Sequence, residues 1–193
     1  MNYRESCNED KIAAIIECNL RGNELAAIEQ YLAALETNDT ALIAEFEAFG
    51  DRPHKIAQNR HQFERASAVY GFTRATFNEY GWLEREAFMD CETFSFGSGN
   101  KAIGENSVTI GHGPNGKWTY GLHLAVPLSG VAFGLSVFHT PYNARRECLQ
   151  NALAAVIAWH TKANNIKTIP VIKEAKDMLD EIMGRKPKQL SLF

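Results

Sequence analysis

Lys117-Trp118-Thr119-Tyr120-Gly121-Leu122-His123-Leu124-Ala125-Val126 is followed, across Pro127-Leu128-Ser129-Gly130, by Val131-Ala132-Phe133-Gly134-Leu135-Ser136-Val137-Phe138. In both runs large side chains alternate with small ones. That is the two-residue period of a β-strand. The Pro and Gly between them predict a hairpin with 117–126 paired to 131–138. One face would carry Trp118, Tyr120, Leu122, Leu124 and Val126 against Val131, Phe133, Leu135 and Val137. The other would carry Gly121, His123 and Ala125 against Ala132, Gly134 and Ser136. Neither face is polar enough to stand in water, so both are expected to be covered.

Working outward, residues 92–96 and 107–111 also read as strands between Gly and Asn breaks, making 84–139 a Gly-rich antiparallel meander. Downstream, 144–162 has helical spacing with Leu149, Leu153, Val156 and Ile157 inward. The small-residue face of the hairpin offers that helix a close approach. Pro170 opens a last helix with the stripe Ile172, Ala175, Leu179 and Ile182. Upstream, the first fifty residues read as three amphipathic helices. Ser6-Cys7-Asn8-Glu9 has the form of a capping box, and the stripes are Ile12, Ile15, Ile16, Leu20, then Leu25, Ile28, Leu32, Leu35, then Leu42, Phe46, Phe49. These helices, or a second subunit in a homo-oligomer, are expected to cover the large apolar face. The expectation is an α+β fold: a helical part (1–82), an antiparallel sheet with C-terminal helices (83–184) sharing one core with it, and a tail (185–193).

The four cysteines, Cys7, Cys18, Cys91 and Cys148, are widely spaced, which argues against a zinc ribbon or disulfide framework. With no run of eighteen apolar residues and no apolar N-terminal stretch, the expected setting is the cytoplasm, away from membranes. The net charge of −3 conceals a gradient. Residues 1–50 hold three Lys/Arg against ten Asp/Glu, and residues 160–193 hold seven against four.

Residues 52–70 read as a helix begun by Pro53, with Ile56, Phe63 and Tyr70 as the buried seam. Lys55, Asn59, Gln62 and Arg65 step along another side, with Arg52 and Arg60 nearby. Such a face could lie weakly along DNA phosphates through Arg52, Lys55, Arg60 and Arg65. A solvated helix face is the default reading of the same stripe. Gly111-His112-Gly113-Pro114-Asn115-Gly116 fits G-x-G-x-x-G, but strand rather than helix follows it, so it reads as a hairpin turn. Asp90 and Glu92 stand two apart on one strand, a spacing that some nucleases use for magnesium. No metal or catalytic motif accompanies them, or His112, His123 and His139, so no catalytic residue, metal ligand or cofactor is assigned.

The final residues, Gln189-Leu190-Ser191-Leu192-Phe193, follow Gly184 and Pro187, which should end the last helix and leave a short basic tether. This segment resembles the peptide by which bacterial polymerases, repair proteins and many phage- or plasmid-encoded proteins bind the replication sliding clamp. That pattern is Gln-Leu, then Ser or Asp, then Leu-Phe, and every position matches. The resemblance implies that Leu192 and Phe193 fill an apolar pocket, Leu190 packs along the groove, Gln189 sets register and Ser191 takes the Ser-or-Asp position. The expected function is that of a bacterial, mobile-element-encoded accessory protein bound to the sliding clamp at replicating or repaired DNA. A DNA-processing enzyme tethered to the clamp, and a protein that blocks the clamp pocket against host enzymes, are the alternatives.

Overall fold

The computed structural model describes residues 3–97 and 105–185. The protein is α+β, with helices before and after a four-stranded antiparallel sheet. It divides into two units, 1–86 and 87–193, each with its own buried cluster.

The first unit holds α1 (Asn8–Glu17), α2 (Asn23–Ala26), α3 (Glu29–Thr37), α4 (Thr40–Glu47) and α5 (Pro53–Tyr70). The expected second helix is interrupted. Ile28 leaves helical geometry at φ −119, so its stripe is shared between α2 and α3. The expected capping box is also replaced: Cys7 is the N-cap of α1, with no side-chain capping bond. Ile15, Ile28, Tyr31, Leu35, Phe46 and Ile56 form the core. A buried polar chain runs beside it. Lys11 Nζ donates to Glu47 Oε1 at 2.7 Å, Tyr31 Oη donates to the same oxygen at 2.9 Å, and Tyr3 Oη lies 3.2 Å from Tyr31 Oη. A lysine and a carboxylate this deep persist because each satisfies the other.

The second unit holds β1 (Met89–Phe96), β2 (Asn106–His112), β3 (Trp118–Val126) and β4 (Ser129–Phe133), in that spatial order, then α6 (Arg145–Ala163) and α7 (Ile169–Ile182). Two sequence expectations change here. The hairpin turns on two residues, Pro127-Leu128, so that Val126 pairs with Ser129 and His123 with Ala132. Leu128 adopts φ 73, the geometry of the residue after proline in a type II turn. Glycine is the usual occupant there, and Ser129-Gly130 therefore drew the sequence reading two residues too far. The second change is which face α6 covers. It packs on the large face, where Leu149, Leu153 and Val156 meet Val108, Ile110, Leu122 and Leu124. That face is thus covered from within its own unit.

The small-residue face makes room for the chain itself. A Cβ on Gly121 would lie 2.7 Å from the carbonyl oxygen of Phe133 and 2.8 Å from the carbonyl carbon of Gly134. A Cβ on Gly111 would lie 2.9 Å from Leu135 Cδ1. The chain therefore leaves β4 at Phe133 and bends over this face before Tyr142 rejoins β3 beside Trp118, with N–H to O distances of 2.8 and 2.9 Å.

Candidate functional site

The clamp-like segment, Gln189, Leu190, Ser191, Leu192 and Phe193, lies outside the described residues. The element leading to it is described. α7 buries Val171 and Ala175. It closes at Gly184, φ 68, where the Gly184 N–H donates to Glu181 O at 3.0 Å and the Arg185 N–H to Asp180 O at 2.9 Å. This is a Schellman closure, which satisfies the last carbonyls without further helix. The glycine stop read from the sequence is present.

The basic side of α5 is a correction. Lys55 and Asn59 are 5% and 2% exposed, so the stripe is not a solvated face. Lys55 Nζ donates to Asp51 Oδ1 at 2.8 Å and to Tyr80 O at 2.9 Å, and it stands 5.8 Å from the centre of the Trp82 ring. That ammonium holds the Asp51 carboxyl below its ordinary value. Asn59 donates to Phe49 O (2.6 Å) and Gly81 O (2.9 Å) and accepts from the Leu83 N–H (2.9 Å). Together they tie residues 76–84, a tight reversal closed by the Phe77–Leu83 bridge, onto α5. Arg60 lies between Glu45 (2.7 Å) and Glu64 (2.6 Å) and over the rings of Phe46 and Phe49. Arg52 is exposed, 3.4 Å from Asp51, and Arg65 is half-buried. A phosphate approaching Lys55 or Arg60 would have to displace a carboxylate first. The wheel could not foresee this, because what covers α5 is the loop at 76–84, twenty-odd residues on.

Asp90 and Glu92 do not converge. A bulge between Met89 and Glu92, with Asp90 at φ 47, turns the two carboxylates to different partners. Glu92 receives Arg145 from α6 through both oxygens at 2.5 Å, and this guanidinium holds the Glu92 carboxyl below its usual range. Asp90 Oδ2 lies 3.0 Å from His112 Nε2, while His112 Nδ1 lies 2.8 Å from Gly113 O. A carbonyl and a carboxylate only accept, so both ring nitrogens are satisfied when the imidazole carries two protons. The Gly113 carbonyl first, and Asp90 second, raise His112 above its ordinary value. This dyad is not legible in residue spacing, because it depends on the bulge. With both nitrogens engaged, His112 has no edge to offer a substrate.

His160 is of the opposite kind. It is fully buried, and Asn106 Oδ1 accepts from the Ala125 N–H and faces His160 Nε2 at 3.0 Å. The ring is therefore the Nε2–H tautomer, and burial pushes it toward neutrality. It pins the end of α6 to the sheet. Cys148 is sealed in the core, where burial pushes its thiol up to about 12. His123 stands exposed on β3, and His139 packs its ring against Phe133 at 4.9 Å. Among the described residues, no group of three His, Cys, Asp or Glu is placed to hold a metal ion. Likewise, no described helix is long and apolar enough to cross a membrane. No protein-family model, curated protein or solved structure matches this chain.

Proposed function

We propose that this chain is a bacterial, mobile-element-encoded accessory protein that docks on the replication sliding clamp through Gln189, Leu190, Ser191, Leu192 and Phe193. The observation carrying the reading is that five-residue segment, which matches the clamp-binding pattern at every position. The end of α7 supports it. The helix completes its hydrogen bonding at Gly184 and Arg185, so neither capping nor the α7 stripe calls on the residues from 189 onward. Leu192 and Phe193 act as the anchors, because a few desolvated apolar side chains carry most of a small interface's energy. The cytoplasm, where the clamp works, is part of the same proposal.

The test compares the full chain with one ending at Lys188, binding each to a purified bacterial sliding clamp by calorimetry. The full chain is expected to bind with an affinity on the order of micromolar, as befits a short segment with little buried area. The shortened chain and Leu192→Ala/Phe193→Ala are expected to lose binding with unchanged melting temperatures. Equal binding by the shortened chain would refute the proposal. A large fall in melting temperature would show that the two anchors belong to the protein's own core.

A further inference from the structure

We propose that β4 is a self-association edge: a second copy of this chain adds its own β4 antiparallel to it, joining two four-stranded sheets into one. The sheet has two edges, and they differ. β1 carries a bulge, the charged Asp90 and Glu92, and a bond from its end to α7, where the Gly97 N–H donates to Glu174 at 2.8 Å. These are the devices by which an edge strand avoids further pairing. β4 has none of them. Ser129, Gly130, Val131, Ala132 and Phe133 include no charge, no proline and no bulge, and all but Val131 are exposed.

The register says which groups point outward. In a two-residue hairpin the pair flanking the turn is hydrogen-bonded, and bonded pairs alternate from there. Val126/Ser129, Leu124/Val131 and Leu122/Phe133 are therefore the bonded pairs with β3. The N–H and C=O groups of Gly130 and Ala132 face away from the sheet, and no described backbone group bonds them.

The occupant follows from this spacing. Two antiparallel β4 strands centred on Val131 set Gly130 of each copy opposite Ala132 of the other. That register satisfies all four outward groups of each copy and leaves no residue of the strand unmatched. A two-fold contact of this kind is closed, so it gives a dimer and no fibre. Val131 meets its own counterpart on the face that carries α6, where it already packs against the core. The strand is uncharged, so nothing repels its copy. Leu128, fully exposed at the hairpin tip, continues toward the second copy's Gly134, beside which a Cβ would find open space.

The interface is short, below the size of standard stable complexes, so the dimer should form with a midpoint on the order of 10–100 µM. Sedimentation equilibrium of the full chain, from well below to well above that range, should show the mass doubling. Ala132→Pro removes an outward donor and no bond to β3, so it should stay monomeric with an unchanged circular dichroism spectrum. Val131→Cys should cross-link to itself under mild oxidation, since a non-hydrogen-bonded antiparallel pair holds its Cα atoms near disulfide range. Wild-type protein, with Cys7, Cys18 and Cys91 exposed, is oxidised in parallel as the reference. A chain that remains monomeric throughout overturns the proposal, as does a folded Ala132→Pro variant that dimerises like wild type. Should Ala132→Pro not fold, the Val131→Cys cross-link decides: its formation supports the pairing and its absence overturns it.

Discussion

Replacing Asn59 by alanine should destabilise residues 1–86 by about 3 kcal/mol. Three bonds set the figure: Asn59 donates to Phe49 O and Gly81 O and accepts from the Leu83 N–H, at 2.6, 2.9 and 2.9 Å. Each contributes roughly 1 kcal/mol net, and its loss leaves a backbone group without its partner at a buried or part-buried site. Alanine cannot replace any of them, and the 76–84 reversal loses its tie to α5. For a unit of this size, 1 kcal/mol moves the melting temperature by roughly 4–8 °C, so the fall should exceed about 10 °C. Urea titration followed at 222 nm gives the free energy. Asn59→Asp supplies a control of sign. It keeps the acceptor for Leu83 but sets lone pairs against two carbonyls, so it should be at least as damaging at neutral pH. Protonation at about pH 3 returns one donor and should narrow its gap to wild type treated identically. A loss below about 1 kcal/mol for Asn59→Ala would refute the argument and return this side of α5 to solvent.

Two further outcomes follow from the sheet. His112, raised by Gly113 O and Asp90, binds its proton more tightly folded than unfolded. Its contribution to stability is whole below the ordinary imidazole value near 6.5 and is lost as pH rises through the raised value. Nuclear magnetic resonance titration should find both ring nitrogens protonated at pH 6 and a midpoint that falls in Asp90→Asn; a wild-type midpoint below 6.5 would overturn the assignment. Gly121→Ala puts a methyl 2.7 Å from backbone that cannot rotate away, and should cost roughly 1–3 kcal/mol in urea titration. Gly134→Ala, with nothing within 4 Å of its Cβ, should be near neutral; equal losses at both glycines would contradict the close approach.

Periodicity carried the sequence reading where a residue's environment is local. Ile15, Leu35, Phe46 and Ile56 are buried as expected, and β2 largely alternates, whereas Ile16 and Leu25, expected on the same stripes, are exposed. It failed where burial is decided by a distant segment. Lys55 and Asn59 sit at polar positions of α5, yet 76–84 closes over them, and nothing in 52–70 encodes that. The sheet's two faces were told apart correctly, but their coverings were not. Size matching suggested a helix against the glycines. In the fold, large residues pack with Leu149 and Leu153, while Gly121 admits the backbone at Phe133 and Gly134, and Gly111 the Leu135 side chain. The hairpin register was missed by two residues, because a leucine at φ 73 is the exception that residue preferences are built to discount. The clamp-like resemblance is of a different kind: it rests on a short linear segment read without tertiary context, which lies outside the described residues.

Folding also changes what the charge gradient means. Residues 1–86 hold nine Lys/Arg against fifteen Asp/Glu, and residues 87–193 hold eleven against eight. The basic stretch that suggested phosphate contact belongs to the acidic unit, and two of its four cations, Lys55 and Arg60, are engaged there in close ion pairs. Arg60 pairs with both Glu45 and Glu64, leaving one negative charge over, Lys55 pairs with Asp51, and Lys11 pairs with Glu47. What remains toward solvent in residues 1–86 is a net negative surface, which repels a polyanion at any separation the salt does not screen. Long-range attraction to a duplex is therefore not a property of this unit's net charge. The positive balance lies in residues 87–193, which include the clamp-like segment. The charge balance is in keeping with the attachment proposed above, in which the acidic unit does not itself have to meet nucleic acid.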